Sequence, residues 1–361
     1  MVTAGPLAEP LSTASAAGPA PVAASPITPP TTAAPAAPPS TVPQPAPPAP
    51  PATTPPTTAA PKPPPPQPVI PPTTLPTVRA AGVTAAAPSG SVARAGAVGP
   101  YKGLGTWIDV YDWSNTYTKN QPTVGPENVA AMAQVGVQTL YVQMARGDTP
   151  DDVLEADRLR AIVDQAHAHN MAVVGWYLPY LTNPADDLRH LVAMAQFGIE
   201  GVGVDIEAKN VSDTNDRNQR LIDLSSAFRS AAPGLPLAAI VLPPVILEVV
   251  NPNYWPGFPW QQIAPFYDVW MPMDYWTNRS QSSGYRDAYR YTSENVIRLR
   301  NDIGNPNAAV HPIGGVADEG TPADDDGFLR AAVETHCVGG SVYDWYTTGA
   351  DEWPHLQGFR S

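Results

Sequence analysis

A single cysteine, Cys337, in 361 residues excludes an internal disulfide framework, and no Cys/His spacing suits a metal site. His167 and His169 stand two apart on an expected helix, so they face different ways and cannot chelate together. There is no run of 18 apolar residues to span a membrane. No G-x-G-x-x-G follows the first apolar run and no G-x-S-x-G elbow occurs, so a dinucleotide site and a serine-hydrolase site both lack their signatures. Basic residues are scarce. Beyond residue 100, 17 Lys and Arg stand against 32 Asp and Glu, a balance of -15 that repels phosphates and makes nucleic acid and anionic membrane poor partners.

The first 100 residues lack aromatic side chains altogether and carry four charges, Glu9, Lys62, Arg79 and Arg94. They hold 29 of the 47 prolines. Such a segment buries too little apolar surface to offset the entropy of ordering, and runs such as "PKPPPPQPVIPP" favour extended polyproline II. Residues 1–100 are therefore expected to be a disordered Pro/Ala/Thr-rich spacer, and 101–361 one globular domain. A Pro-rich ligand for an aromatic groove is the other use of such a segment, although no one motif stands out. The opening stretch has no basic n-region, and prolines break any h-region, so no signal peptide is read. A long spacer before a compact domain nonetheless suits a chain that crosses a bacterial wall. The expected location is extracellular or cell-wall associated, and the expected state monomeric.

From residue 101 strand-like apolar runs alternate with amphipathic helices. The runs lie at 105–113, 137–146, 171–180, 201–208, 235–244, 267–276, 308–316 and 339–347. Between them, "GPENVAAMAQVG", "EADRLRAIVDQAHAHN" and "NPADDLRHLVAMAQFG" show first-turn prolines or acids and end on Gly136, Asn170 and Gly198. The acidic run Asp324 to Asp326 favours another helix start; a calcium site is its other use. Eight alternations predict an α/β fold, a parallel sheet closed into a (β/α)8 TIM barrel. Its active site belongs at the C-terminal ends of the strands.

At those ends acids and aromatics predominate. In "GVGVDIEAKN" side-chain alternation puts Gly203, Asp205, Glu207 and Lys209 on one face, so both acids point to the barrel mouth. Strand one supplies Asp109, Asp112 and Trp113, strand two Gln143 and Arg146, and strand three Trp176 and Tyr177. Strand six supplies Asp274, Tyr275 and Trp276, and strand eight Tyr343, Asp344 and Trp345. Carboxylates accept hydrogen bonds from sugar hydroxyls, and indole faces pack against pyranose rings. Paired acids can supply the general acid and the nucleophile or base of glycoside cleavage, with a carboxyl separation of about 5 Å for retention and roughly 6.5–9.5 Å for inversion. The plain alternative is that Asp205 and Glu207 pair with Lys209, Arg146 or another strand-end cation. His311 reads as structural, and the loop "NPNYWPGFPWQQ" as a stiff cover over the strand-five edge.

The stretch "EGVGVDIE" resembles the Asp-Gly-x-Asp-x-Asp-x-Glu motif of family 18 chitinases, keeping its last two acids as Asp205 and Glu207. "WMPMDYW" is similar to their Met-x-Tyr-Asp stretch, and "GGSVYDW" to their Gly-Gly-x-x-x-Trp. Family 25 lysozymes share an Asp-x-Glu on such a barrel, and "DVYDW" resembles their first strand. Each motif is short, and the resemblance is to glycoside-hydrolase-like barrels as a group. It implies that Glu207 is the general acid and Asp205 its helper. Glu200 and Gly203 replace the motif's first two aspartates, which weakens substrate assistance and leaves Asp274 as a candidate nucleophile or base. The expectation is a glycoside hydrolase acting on an extracellular or cell-wall polysaccharide, without cofactor or metal. Its rival is a non-catalytic carbohydrate-binding barrel or an envelope scaffold.

Overall fold

The computed structural model describes residues 97–360; the expectations for residues 1–96 lie outside it. Eight parallel strands close into a barrel in chain order. They are β1 Gly103–Ile108, β2 Thr139–Gln143, β3 Ala172–Tyr177, β4 Gly201–Ile206, β5 Leu237–Val241, β6 Val269–Asp274, β7 Ile313–Gly315 and β8 Gly339–Tyr343. Closure is a register of β8 on β1, from Gly103 beside Gly339 to Thr106 beside Val342. Nearly every strand residue is buried, because one face packs inside the barrel and the other against helices; this is why the strands read as unbroken apolar runs.

The outer layer follows from capping and periodicity. Its helices are α1 Val110–Trp113, α2 Val129–Gln134, α3 Ala156–Ala168, α4 Pro184–Ala195, α5 Thr214–Ala231, α6 Trp260–Ile263, α7 Ala288–Asp302, α8 Pro322–Glu334 and α9 Trp353–Leu356. Helix α3 buries Leu159, Ile162, Val163 and Ala166, one stripe at helical spacing. Asp213, Asp287 and Thr321 cap α5, α7 and α8 by accepting backbone N–H bonds. The acids at 324 and 325 fall in the first turn of α8, as the sequence leads one to expect. Gly198, with φ of 80°, follows α4 in the left-handed region where a Cβ is disfavoured. None of these helices is long and apolar enough to cross a membrane.

The barrel interior is aromatic at its centre. Trp107 stacks on Tyr141 with ring centroids 4.3 Å apart and meets Trp176 edge-on at 6.0 Å. Its indole N–H donates to Ser341 Oγ at 2.8 Å. His311 bridges Ser341 Oγ and the Tyr101 carbonyl, and burial lowers its pKa to about 4. It is a neutral structural ring, in line with the sequence reading. The loop at 251–262 packs as a cover: Trp255 is buried, donates to Asn218 Oδ1 at 2.7 Å and meets Phe258 edge-on.

Candidate active site

The first run ends sooner than its sequence suggests. β1 stops at Ile108, and Asp109 caps a helical turn, accepting from the Tyr111 N–H while Asp112 Oδ2 accepts from the Asp109 N–H. Asp109 and Asp112 therefore meet at the top of β1 as a capping box. Tyr343, at the end of β8, donates to Asp109 Oδ2 at 2.7 Å. Oxygens of Asp109, Asp112 and Asp344 lie within 4.8 Å of one another. Burial first, then Asp344, pushes the Asp112 carboxyl up to about 7.

Opposite this group stand Asp205, on β4, and Glu207, just beyond it. Asp205 is 7% exposed and its Oδ1 has no hydrogen-bond partner among the described residues. Burial, and then the charge of Glu207, holds the Asp205 carboxyl well above the usual carboxylate range. Burial also raises Glu207. No cation among the described residues forms an ion pair with them: Arg146 is paired with Asp148 at 2.9 Å, and the Lys209 ammonium sits over the Tyr254 ring at 3.6 Å. Tyr275 joins the two acidic groups. Its hydroxyl is raised by burial and then by Asp205, Glu207, Asp344 and Asp109, and its ring lies 6.0 Å from Tyr343.

Glu207 lines a cavity of about 380 Å³. Its walls come from the β5–α6 connection, through Leu242, Ile246 and Tyr254, and from the end of β6 and its loop, through Met273, Tyr275 and Arg279. A largely apolar floor with a few polar groups at its ends is the usual form of a small-molecule site.

Asp274 is not brought to this mouth. The register of β4 on β5 sets Asp205 beside Ile240, and that of β5 on β6 sets Ile240 beside Met271. Inward positions on β6 are thus 269, 271 and 273, and alternation turns Trp270, Pro272 and Asp274 outward. Asp274 is fully buried, faced by Asn295 and Tyr291 of α7, and among the described residues neither oxygen has a donor at full hydrogen-bonding geometry, the Asn295 side chain offsetting its burial only in part. Burial raises its pKa well above 3.8. A raised folded pKa means that stability is fullest below about pH 3.8 and is lost as pH rises. Asp274→Asn is therefore expected to stabilise the fold at pH 7 by about 1–3 kcal/mol, a gain that shrinks towards pH 4. Urea unfolding at the two pH values measures it; an Asn variant less stable at pH 7 would contradict this placement.

Other expected ligand contacts are also occupied elsewhere. Tyr177 points outward and donates to Asp187 of α4 at 2.7 Å. Trp276 is buried against Phe328 of α8, and Trp113 is buried with its N–H on the Gln143 carbonyl. Gln143 Oε1 accepts from the Val110 N–H. Arg146 lies at the rim, also bonded to Tyr111. Trp345 packs on Trp353 of α9. Trp176 faces inward but is 7% exposed. Residues that sequence reasoning passed over are Tyr254 and Arg279, both on connections without periodic signal.

No protein-family model matches the chain, and no curated protein matches it. Among solved structures, it is similar to a class V chitinase from Pseudomonas fluorescens Pf-5, with a TM-score of 0.52 and 10% identity over 72% of this chain and 99% of that one. A chitinase of glycoside hydrolase family 18 from Pseudoalteromonas aurantia gives 0.51 and 11% over 71% and 99%. The spore cortex-lytic enzyme SleL of Bacillus megaterium gives 0.51 and 9% over 72% and 74%. The likeness is one of fold: a TIM barrel of the kind these glycoside hydrolases share.

Proposed function

We propose that this protein is a glycoside hydrolase acting on an extracellular or cell-wall polysaccharide, with Glu207 as general acid and Asp205 as its supporting carboxylate. The observation that carries the reading is an acid pair at the barrel mouth with no cation partner among the described residues, one member of which opens onto a cavity. Inward acids left unpaired are costly, so a barrel that keeps two side by side uses them. Burial of both carboxyls favours keeping a proton on the pair near neutrality. A bound sugar covers Glu207 further, which raises its pKa again and draws that proton to the group nearest the glycosidic oxygen. The Asp109, Asp112 and Asp344 group, with Tyr275 and Tyr343, offers acceptors and hydroxyls to the sugar's own hydroxyls.

One observation favours the binding-only rival. A Cβ at Gly203 would stand 2.7 Å from Ile240 Cδ1, so the motif's missing aspartate has been replaced by apolar packing. Release of reducing ends from a panel of chitin and peptidoglycan glycans separates the two: binding without cleavage refutes the hydrolase. If cleavage occurs, its pH profile carries a signature. Glu207 works protonated, so kcat/KM stays high above the ordinary carboxyl range and falls as pH rises through its raised pKa. An alkaline limb at the ordinary carboxyl position, about 4.3, would remove Glu207 from the role.

A further inference from the structure

We propose that the cavity lined by Glu207 also binds a carboxylate, through Arg279, and that the substrate is therefore an acidic glycan; this rests on the hydrolase reading of the same cavity. Arg279 follows β6 and lines the cavity. Its Nε is buried without an acceptor, and its guanidinium makes no hydrogen bond, ion pair or ring contact with any described residue. Other arginines of this acidic domain are occupied: Arg189 and Arg298 each bridge two carboxylates, Arg229 pairs with Asp268, and Arg158 and Arg300 hold backbone carbonyls. A guanidinium with no hydrogen-bonding, ionic or ring partner among the described residues, in the wall of a cavity, is a prepared donor set.

Burial alone sets the direction of the Glu207 shift, with no lowering by Arg279, so the guanidinium does not serve to ionise the proposed acid. The same cavity is lined by Leu242, Ile246 and Met273, apolar side chains suited to the face of a sugar ring. Lys209, held over Tyr254, itself a lining residue of the cavity, adds a second positive charge with no ion-pair partner among the described residues. A neutral glycan would offer the guanidinium hydroxyl oxygens but no counter-charge, whereas a carboxylate on the sugar would accept from it bidentately and neutralise it.

Two kinds of sugar supply that carboxylate: a uronic acid, or a hexosamine bearing a lactyl ether. Calorimetric binding to the whole chain carrying Glu207→Gln, with oligosaccharides of each kind and their carboxyl-reduced counterparts, distinguishes them. The expected result is about 10- to 100-fold tighter binding of one acidic oligosaccharide over its reduced form, a ratio that collapses towards one in Arg279→Met and is partly kept in Arg279→Lys. Equal binding of acidic and reduced forms, binding of neither, or a preference that survives Arg279→Met would overturn the proposal. The reduced-ligand comparison needs no change at residue 279, so it decides even if the Met variant fails to fold. Cleavage of neutral glycans without acidic preference would sink this inference and leave the hydrolase standing. Arg279-dependent binding with no cleavage by the unmutated chain would do the reverse.

Discussion

Glu207→Gln lowers glycan cleavage by about 10²- to 10⁴-fold while oligosaccharide binding persists. The amide has the size of the acid and keeps the cavity wall in place, but it has no proton to give to a departing sugar oxygen. It also removes the charge that raises Asp205, so Asp205 titrates lower in the variant. Asp205→Asn should cost less, since Asp205 is more deeply buried and acts on the proton through Glu207. Its mark is a displaced pH profile: removing one of two interacting carboxyls shifts the apparent pKa values of the other. Parallel measurements of kcat/KM and of binding by the two variants test the assignment. If Glu207→Gln cleaves as fast as the unmutated chain, or if Asp205→Asn is the more damaged, the acid has been placed on the wrong residue.

The barrel itself was legible because a strand buried on both faces leaves a plain apolar run, and eight such runs alternate with capped helices. The mouth was legible only where alternation was followed residue by residue. Applied to β4, it places Asp205 inward. The same rule applied to β6 groups Asp274 with Trp270 and Trp276, and the structure has all three in the helix layer, with Trp270 near Trp260 and Trp276 on Phe328. A motif likeness in "MPMDYW" pointed to the acid, whereas Tyr275, the next residue, is the one among the carboxylates. The end of β1 misled in a different way: "DVYDW" continues the apolar run by composition, but Asp109 is an N-cap, and its capping box turns the chain into α1. Arg279 and Tyr254 lie where no period exists to read, and their importance depends on which loops the closed barrel brings together.

The aromatic excess carries the same lesson, and Trp107 gives it a test. An indole at a strand end can be a sugar platform or a core plug, and sequence does not distinguish them. Trp107 is 2% exposed, stacked on Tyr141, edge-on to Trp176, and 6.2 Å from Tyr343, whose hydroxyl holds Asp109. It is a plug beneath the site rather than a surface within it. Trp107→Ala should cost about 3–5 kcal/mol of unfolding free energy, the range for emptying an aromatic site in a core that relaxes incompletely. Trp107→Phe keeps an aromatic ring there and loses the N–H bond to Ser341, which leaves His311 as that hydroxyl's remaining side-chain partner. It should cost much less, about 1 kcal/mol for the hydrogen bond plus the smaller ring volume. Denaturant midpoints order the three proteins. A Trp107→Ala chain as stable as the Phe variant, but deficient in glycan binding, would make Trp107 a sugar contact after all and move the floor of the site one layer deeper into the barrel.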